Sequence, residues 1–177
     1  MSEPLAALLR PKTFDEVVGQ SHLLAPGAVL RGIVESGQVP NLIFYGPSGV
    51  GKTTVARIIA ASAGKLLRHL NGTTCGTADL KEVYDARNTI SGYNGILLYL
   101  DEIQYLNKKQ QQTLLEYIED GSVTLIASTT ENPYFYVYGA VLSRCTVFEF
   151  KPVPPQEVKR AVLRAFERAG EQFSQSY

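Results

Sequence analysis

Short apolar runs alternate along the chain with segments whose apolar residues recur at helical spacing. The apolar runs predict five strands, at 41–45, 65–70, 96–100, 123–128 and 147–150. The helical segments between and after them cover 52–63, 77 to about 90, 107 to about 120, and 156–169. Strands that alternate with helices in this way predict an α/β fold, a five-stranded parallel sheet with helices on both faces.

The ends and faces of these helices can also be predicted. Thr77 is expected to cap the helix that runs to about Ile90. Asn107 is expected to cap the next helix, and Gln110 three residues later completes a capping-box pattern. In the last helix, four apolar residues share one face: Val158, Val162, Ala165 and Phe166.

The composition excludes several classes of protein. Apolar residues make up 45% of the chain and charged residues 19%, which predicts a globular core rather than disorder. The 17 basic and 17 acidic residues cancel, so DNA binding would need a local site. Cys75 and Cys145 lack metal-ligand spacing and favour a reducing cytoplasm. No apolar run approaches the roughly 20 residues that span a bilayer, so we expect no membrane contact.

The loop after the first predicted strand carries a phosphate-binding motif. Residues 46–53 read GPSGVGKT and match GxxxxGK[ST] at every required position. Glycines let such a loop curl around an anion, and the N-terminus of the following helix faces it. Lys52 is expected to reach the β- and γ-phosphates of ATP, and Thr53 to ligate Mg²⁺. The residues expected to contact the nucleotide here are Pro47, Ser48, Gly49, Val50, Gly51, Lys52, Thr53 and Thr54. A glycine- and proline-rich turn that binds nothing is the alternative, and the strand-to-helix context disfavours it.

Two carboxylates directly follow the third predicted strand. Asp101 is expected to hold Mg²⁺ through water, and Glu102 to polarise the attacking water as the general base. An acidic pair that merely caps a turn is the alternative. The pair follows a second strand of the same predicted sheet, 49 residues after Lys52, and this placement favours hydrolysis. The sequence contains no NKxD motif, which distinguishes it from small GTPases.

These motifs resemble those of AAA+ ATPases in the clamp-loader group. The resemblance is carried by GPSGVGKT, by LLYLDE, by the Thr129-Thr130 pair after a strand, and by Ser143-Arg144-Cys145. Residues 10–20, RPKTFDEVVGQ, resemble the segment that folds over adenine in that group. A narrower similarity is to the replication-associated recombination protein A family (RarA/MgsA), which is related to the Werner-helicase-interacting ATPase. It is carried by NKKQQQ at 107–112, EDG at 119–121 and TLIASTTENP at 124–133, and the resemblance covers about residues 5–165.

The resemblance implies further site residues. Thr130, with Thr129 as the alternative, corresponds to the sensor that sits between Asp101 and the γ-phosphate, although its hydroxyl could instead satisfy a strand end. Arg144 matches the arginine finger that reaches ATP on a neighbouring subunit, which implies a homo-oligomer; a surface salt bridge is the alternative. Val18 and Gly19 are implied to contact adenine.

The family also implies a biological role and a domain layout. The implied role is that of a DNA-dependent ATPase at stalled replication forks or DNA ends. The implied partners are single-stranded, forked or blunt DNA and single-strand binding protein. The implied location is the cytoplasm, at the nucleoid. The alternatives are a clamp-loader or Holliday-junction branch-migration subunit, or an assembly subunit with little hydrolysis. The implied layout is an adenine-side linker (1–22), an ATPase core (23–153) and the start of a truncated helical lid (154–177). A core without its lid is expected to bind nucleotide weakly and to turn over little.

Other features differ from the family pattern or allow more than one interpretation. The chain has Gln104 and Tyr105 where the family pattern has His and Arg. Lys108 and Lys109 begin a helix and could follow a DNA backbone, but a solvated helix face is favoured. The aromatic cluster at Tyr134, Phe135, Tyr136 and Tyr138 could stack on single-stranded bases. Packing within the loop or a subunit contact is favoured over stacking. The charges of the last helix are expected to form an ordinary exposed face.

Overall fold

A computed structural model describes residues 9–175 and confirms the five-stranded parallel sheet. The strands are β1 (Leu42–Tyr45), β2 (Leu66–Asn71), β3 (Ile96–Asp101), β4 (Val123–Thr129) and β5 (Thr146–Glu149). They lie in the order β2-β3-β4-β1-β5, and each neighbouring pair is parallel. Every strand boundary lies within one residue of its predicted position. Because β3, β4 and β1 are neighbours, the loops that leave their carboxyl ends meet at one edge of the sheet, where such sheets bind ligands.

The helices cover both faces of the sheet. Their bounds are α1 (Ser21–Leu24), α2 (Val29–Glu35), α3 (Lys52–Ser62), α4 (Thr77–Asp85), α5 (Lys108–Glu119), α6 (Pro133–Tyr136), α7 (Gly139–Leu142) and α8 (Pro155–Gln175). Short 3-10 turns lie at Phe14–Glu16, Ala86–Asn88 and Ile103–Tyr105. Across residues 9–175, every helix is too short or too polar to cross a membrane. The parts of the predicted linker and lid at 1–8 and 176–177 lie outside the described residues.

Side chains of the buried strands alternate between two apolar cores. Leu97 and Tyr99 of β3 and Ile126 of β4 pack on the face that carries α1, α2 and α3. Leu98 and Leu100 of β3 pack on the opposite face, under α4 and α5. Since strand residues two apart share a face, the end of β3 presents Asp101 on the same face as Tyr99 and α3.

One of the two predicted helix caps is correct. Asn107 Oδ1 accepts a hydrogen bond from the Gln110 amide at 2.8 Å, and Gln110 Oε1 accepts from the Asn107 amide at 3.0 Å, as the capping box requires. The prediction that Thr77 caps α4 is wrong. Gly76 occupies the cap position, and the Asp79 carboxylate accepts from its amide at 2.7 Å. A carboxylate in the first turn is favoured there by the helix dipole.

The prediction that this helix continues to about Ile90 is also wrong. α4 ends at Asp85, and a 3-10 turn follows. The Thr89 hydroxyl donates to the Ala86 carbonyl at 2.7 Å, which offers the backbone an alternative to the helix. The chain then folds back so tightly that a β-carbon on Gly92 would lie 2.1 Å from the Ala86 carbonyl oxygen. Ile90 is left 98% exposed.

The last helix, α8, begins at Pro155 and continues past its predicted end to Gln175. Its apolar face is open: the side chains of Val158, Val162 and Phe166 are 46%, 48% and 72% exposed. One of its charges is paired outside the helix, since Arg168 Nη1 lies 3.4 Å from Glu16 Oε2. α8 therefore contacts the N-terminal segment in part through this ion pair.

Candidate active site

The phosphate loop joins β1 to α3 and has the backbone shape that its sequence predicts. Gly49 and Gly51 have φ angles of 75° and 107°, a region that favours glycine. Gly51 is the residue before α3 and makes no side-chain cap, so the first amides of the helix remain available to an anion. A cavity of about 320 Å³ beside the loop brings together predicted residues from the loop and from β3: Ser48, Gly49, Gly51, Lys52, Thr53, Thr54, Asp101 and Glu102.

Two other predicted loop residues, Pro47 and Val50, do not line this cavity, and they take part in hydrogen bonds through their backbone carbonyls. The Pro47 side chain is exposed, and the Val50 side chain is buried in the core beside α3. Each carbonyl accepts a hydrogen bond, Pro47 from Lys52 at 3.0 Å and Val50 from Gln20 at 3.1 Å. These contacts hold the loop closed around its own lysine.

The side chain of Lys52 lies folded into the loop. It is buried, and its Nζ also donates to the carbonyl of Gly46. Loss of hydration lowers the pKa of Lys52, while the charges of Glu102 and Asp101 oppose that shift. A poorly hydrated ammonium surrounded by carbonyls gains from the arrival of an anion. The loop is therefore a favourable place for a phosphate group.

The two predicted Mg²⁺ ligands, Thr53 and Asp101, line the same cavity. A hydroxyl and a carboxylate are the hard oxygen donors that Mg²⁺ prefers. Residues 9–175 contain no group of three or more His, Cys, Asp or Glu side chains that could hold a metal alone. This donor set fits Mg²⁺ held jointly by one carboxylate, one hydroxyl, nucleotide phosphates and water.

Behind these ligands lie two buried hydroxyl groups that the sequence did not indicate. The Thr53 hydroxyl donates to the Tyr99 phenol at 3.2 Å, and the Ser128 hydroxyl donates to Asp101 Oδ1. Tyr99 and Ser128 are 2% and 0% exposed. Burial raises the pKa of Tyr99, so the phenol keeps its proton at neutral pH.

Glu102 directly follows β3 in a left-handed conformation, with φ 55° and ψ 52°. Gly72 at the end of β2 packs against it, since a β-carbon there would lie 2.2 Å from the Glu102 carbonyl oxygen. The Gln104 amide donates to the Glu102 carboxylate, and Gln104 Oε1 is buried without a hydrogen-bond partner among the described residues. Gln104 thus holds the predicted general base. Its position two residues after Glu102 is the only signal the sequence offers for this contact.

The two candidate sensor threonines occupy different environments. Thr129 is fully buried, and its hydroxyl bonds to the backbone of Glu131, accepting from the amide at 3.0 Å. Thr130 lies one residue past β4 and is exposed. The side chain of this strand that contacts Asp101 is Ser128. A sensor role for Thr130 stays a prediction.

Arg144 lies on the surface after α7. Its Nη2 is 3.1 Å from Glu119 Oε1, and the two side chains are 52% and 44% exposed. Exposed pairs of this kind contribute little to stability, so the pair does not fix the guanidinium in place. The side chain is free to exchange Glu119 for an anion on another molecule.

A glutamine in the N-terminal segment links the phosphate loop to the chain that leads into α8. Besides its bond to the loop, Gln20 Nε2 donates to the Lys151 carbonyl at 2.7 Å, and Gln20 Oε1 accepts from the Lys151 amide at 2.9 Å. Gln20 is 5% exposed and has a φ of 59°. Its contacts join residues 131 positions apart, so local sequence patterns could not reveal them.

Val18 and Gly19, the predicted adenine contacts, lie beside the first turns of α8. Val18 lines a cavity of about 260 Å³ together with Ala161 and Ala165 of that helix. A β-carbon on Gly19 would lie 3.1 Å from a methyl group of Val153, and Gly19 has a φ of 77°. The positive φ, together with this close packing, explains the glycine, and an adenine contact stays a prediction.

The features considered for DNA contact lie on the surface. Tyr134, Phe135 and Tyr136 are 64%, 82% and 53% exposed, so these three do not pack within their loop, and a subunit contact or base stacking stays a prediction for them. Tyr138 is partly buried and packs against the core. Lys108 Nζ lies 5.4 Å from the ring centroid of Tyr138, which is within the range of a cation–π contact. The α6 region therefore presents aromatic rings beside a lysine.

The sequence is similar to those of known ATPases, as expected from a loop that suits phosphate groups. Residues 42–153 match the family described as "ATPase family associated with various cellular activities (AAA)". The chain is 37% identical over 166 residues to replication-associated recombination protein A of Escherichia coli, covering 93% of this chain and 37% of that protein. It is 39% identical over 165 residues to the ATPase WRNIP1 of Dictyostelium discoideum, covering 93% and 19%. The chain thus spans little more than a third of the first protein and about a fifth of the second.

Among solved structures, the RuvB Holliday junction branch migration motor of Thermotoga maritima superposes with a TM-score of 0.75. It is 26% identical, and the match covers 92% of this chain and 55% of that one.

Proposed function

The chain belongs to the AAA family of ATPases, and on that premise we propose that its phosphate loop binds ATP with Mg²⁺ and that Glu102 drives hydrolysis. The observation that carries this proposal is the single cavity at which Lys52, Thr53, Asp101 and Glu102 converge from α3 and the end of β3. Each side chain matches one requirement of phosphoryl transfer to water: charge neutralisation, metal ligation and activation of the nucleophile.

In the proposed mechanism, Lys52 leaves the loop carbonyls and binds the β- and γ-phosphates beside the first amides of α3. Thr53 and Asp101 would hold Mg²⁺, and the cation would supply neutralisation of the phosphate charge. Glu102 accepts a proton from water as the water oxygen attacks the γ-phosphorus, and the bond to the β–γ bridging oxygen breaks to leave ADP. Gln104 keeps the carboxylate of the base in one orientation.

Arg144 and Thr130 would complete the reaction site in an assembly. Arg144 is exposed and held by a weak pair, which suits a finger that stabilises transition-state charge on a neighbouring subunit. Thr130 follows Ser128 and Thr129 at the carboxyl end of β4 and could orient water against the γ-phosphate. We therefore propose that this chain acts as part of a homo-oligomer.

The adenine would lie between the N-terminal segment and α8. The cavity beside Val18 supports this position, and Gln20 connects that segment to the phosphate loop. We propose that residues 1–22 form an adenine-side linker and that residues 23–153 form the ATPase core. We also propose that α8 is the first helix of a helical lid.

The similarity to replication-associated recombination protein A supports a role in replication-linked recombination and repair. We propose that the protein acts on single-stranded, forked or blunt DNA in the cytoplasm at the nucleoid, with single-strand binding protein as a partner. DNA contact would depend on local features, namely Lys108, Lys109 and the exposed aromatic rings of α6. Branch migration is the second candidate, and the RuvB fold likeness favours it over the clamp-loader and assembly-subunit alternatives.

Phosphate release under single-turnover conditions tests the proposal. The chain is incubated with Mg²⁺ and limiting ATP, with and without single-stranded, forked and blunt DNA. We expect Glu102→Gln to slow release by about a hundredfold or more while ATP still binds, because only the base is lost. Glu116→Gln, which changes an exposed glutamate of α5, is the control. Release that continues at the wild-type rate in Glu102→Gln would refute the assignment of the base.

A further inference from the structure

Each proposed Mg²⁺ ligand is hydrogen-bonded to a buried hydroxyl group beside the nucleotide cavity. The Thr53 hydroxyl donates to the Tyr99 phenol at 3.2 Å. The Ser128 hydroxyl donates to Asp101 Oδ1. The two supporting hydroxyls, those of Tyr99 and Ser128, come from neighbouring strands of the sheet.

These hydrogen bonds leave the ligand oxygens available to a cation. Thr53 gives its proton to Tyr99, which leaves the lone pairs of the threonine oxygen free. Ser128 gives its proton to Oδ1 of Asp101, which leaves Oδ2 and the remaining lone pairs of that carboxylate.

The register of the sheet places these hydroxyls. Tyr99 of β3 pairs with Ile126 of β4, and Leu100 pairs with Ala127, so Ser128 falls beside Asp101. Ser128 and Tyr99 are almost completely buried, and Tyr99 also lines the cavity. A buried hydroxyl that loses its partner is costly, so each pair favours one arrangement of its two members.

We propose that Tyr99 and Ser128 are positioning residues that orient Thr53 and Asp101 and thereby set the affinity of the site for Mg²⁺. This inference rests on the proposed function, since it assumes that the cavity binds nucleotide with Mg²⁺. Tyr99 and Ser128 act through the two ligands. Their removal should weaken the cation specifically and leave the grip of Lys52 and the α3 amides on phosphate intact.

Binding of a fluorescent ADP derivative, titrated with Mg²⁺ and repeated in EDTA, tests this inference without any turnover. The variants are Tyr99→Phe and Ser128→Ala, each of which removes one hydroxyl. Each should raise the Mg²⁺ concentration for half-maximal binding by about three- to tenfold, the effect of one lost hydrogen bond. Affinity in EDTA should stay at the wild-type value. Tyr117→Phe on α5 is the matched control and should change neither quantity.

The double variant adds a sharper test. Tyr99→Phe combined with Ser128→Ala should weaken Mg²⁺ more than either change alone, because each hydroxyl supports a different ligand. A double variant that binds Mg²⁺ as well as either single variant would contradict this separate support of the two ligands. Ser128→Thr, which keeps a hydroxyl, should restore Mg²⁺ binding, and it preserves the test if Tyr99→Phe does not fold.

Two results would overturn the inference: an unchanged Mg²⁺ requirement in both single variants, or an equal loss of affinity in EDTA. The second result would mean that the phosphate loop itself was disturbed. A different failure would refute the proposed function instead, namely a wild-type chain that binds no nucleotide with or without Mg²⁺.

Discussion

Gly46 lies so close to Phe150 that a β-carbon on the glycine would sit 2.3 Å from the Phe150 carbonyl oxygen. The contact is backed by two backbone bonds, from the Gly46 amide to the Thr129 carbonyl at 3.1 Å and from the Phe150 amide to the Tyr45 carbonyl at 2.7 Å. The first glycine of the phosphate motif is therefore needed where the loop leaves the sheet. Gly49, by contrast, has nothing within 4 Å of its β position and serves the shape of the loop.

Gly46→Ala should destabilise the fold itself. We expect the free energy of unfolding to fall by about 2–4 kcal/mol, because the backbone of two strands must separate to admit one methyl group. Denaturant titration of the chain without nucleotide measures this. Gly139→Ala is the control, since that glycine has open space around it and no positive φ. Equal stability of the two variants would contradict the close packing.

Arg144→Ala should reduce ATP turnover in the assembled protein without loss of stability. The pair with Glu119 is about half exposed, so its loss should change the free energy of unfolding by at most about 1 kcal/mol. Phosphate release measures turnover, and Arg160→Ala on α8 is the control. Mixing Arg144→Ala with Glu102→Gln subunits should restore part of the activity, because each supplies what the other lacks. Wild-type turnover by Arg144→Ala alone would exclude a finger at this position.

Gln104→Ala should slow hydrolysis while nucleotide affinity stays constant. Without the amide donor, the Glu102 carboxylate gains rotamer freedom and is less often directed at water, so we expect about a tenfold lower kcat. Separate measurement of kcat and of the dissociation constant for ADP distinguishes this from a damaged binding site. Gln112→Ala, on the exposed side of α5, is the control. An unaltered kcat would show that Glu102 needs no support from Gln104.

Cys145 should make stability fall as the solution becomes strongly alkaline. Burial raises the pKa of Cys145 to about 12 from an ordinary value of 9.0. The unfolded chain therefore releases this proton first, and the contribution is complete below pH 9 and lost as pH rises toward 12. The slope is at most about 1.4 kcal/mol per pH unit. Alkaline unfolding of Cys145→Ala should lack this component, and the same slope in both chains would contradict it.

The strands and the phosphate loop could be predicted because their signals are local. Continuous apolar runs such as 96–100 end at carboxylates, so both the strand and the position of Asp101 follow from adjacent residues. The same holds for the Asn107 cap, which needs only Gln110 three residues away. Two local predictions were wrong, the helix cap at Thr77 and the helix end at about Ile90. At both positions, hydrogen bonds between side chains and the backbone decide the local structure.

The residues that the sequence did not reveal act across long separations. Tyr99 looked like one more apolar strand residue, and its contact with Thr53 exists only because β3 lies beneath α3. Ser128 reaches Asp101 through the register of β3 with β4. Gln20 bonds to Lys151 because the N-terminal segment returns to the end of β5. Such contacts follow from the order of strands in the sheet, which composition and periodicity do not determine.

Calorimetric titration of the chain with ATP in Mg²⁺ tests the central claim most directly. The account predicts one site per chain, with affinity reduced at least about tenfold in Lys52→Ala, because a charge-assisted contact to phosphate is lost. Lys81→Ala, an exposed lysine of α4, should bind like the wild type. No binding by the wild-type chain, or equal binding by Lys52→Ala, would contradict the claim that this loop is an ATP site.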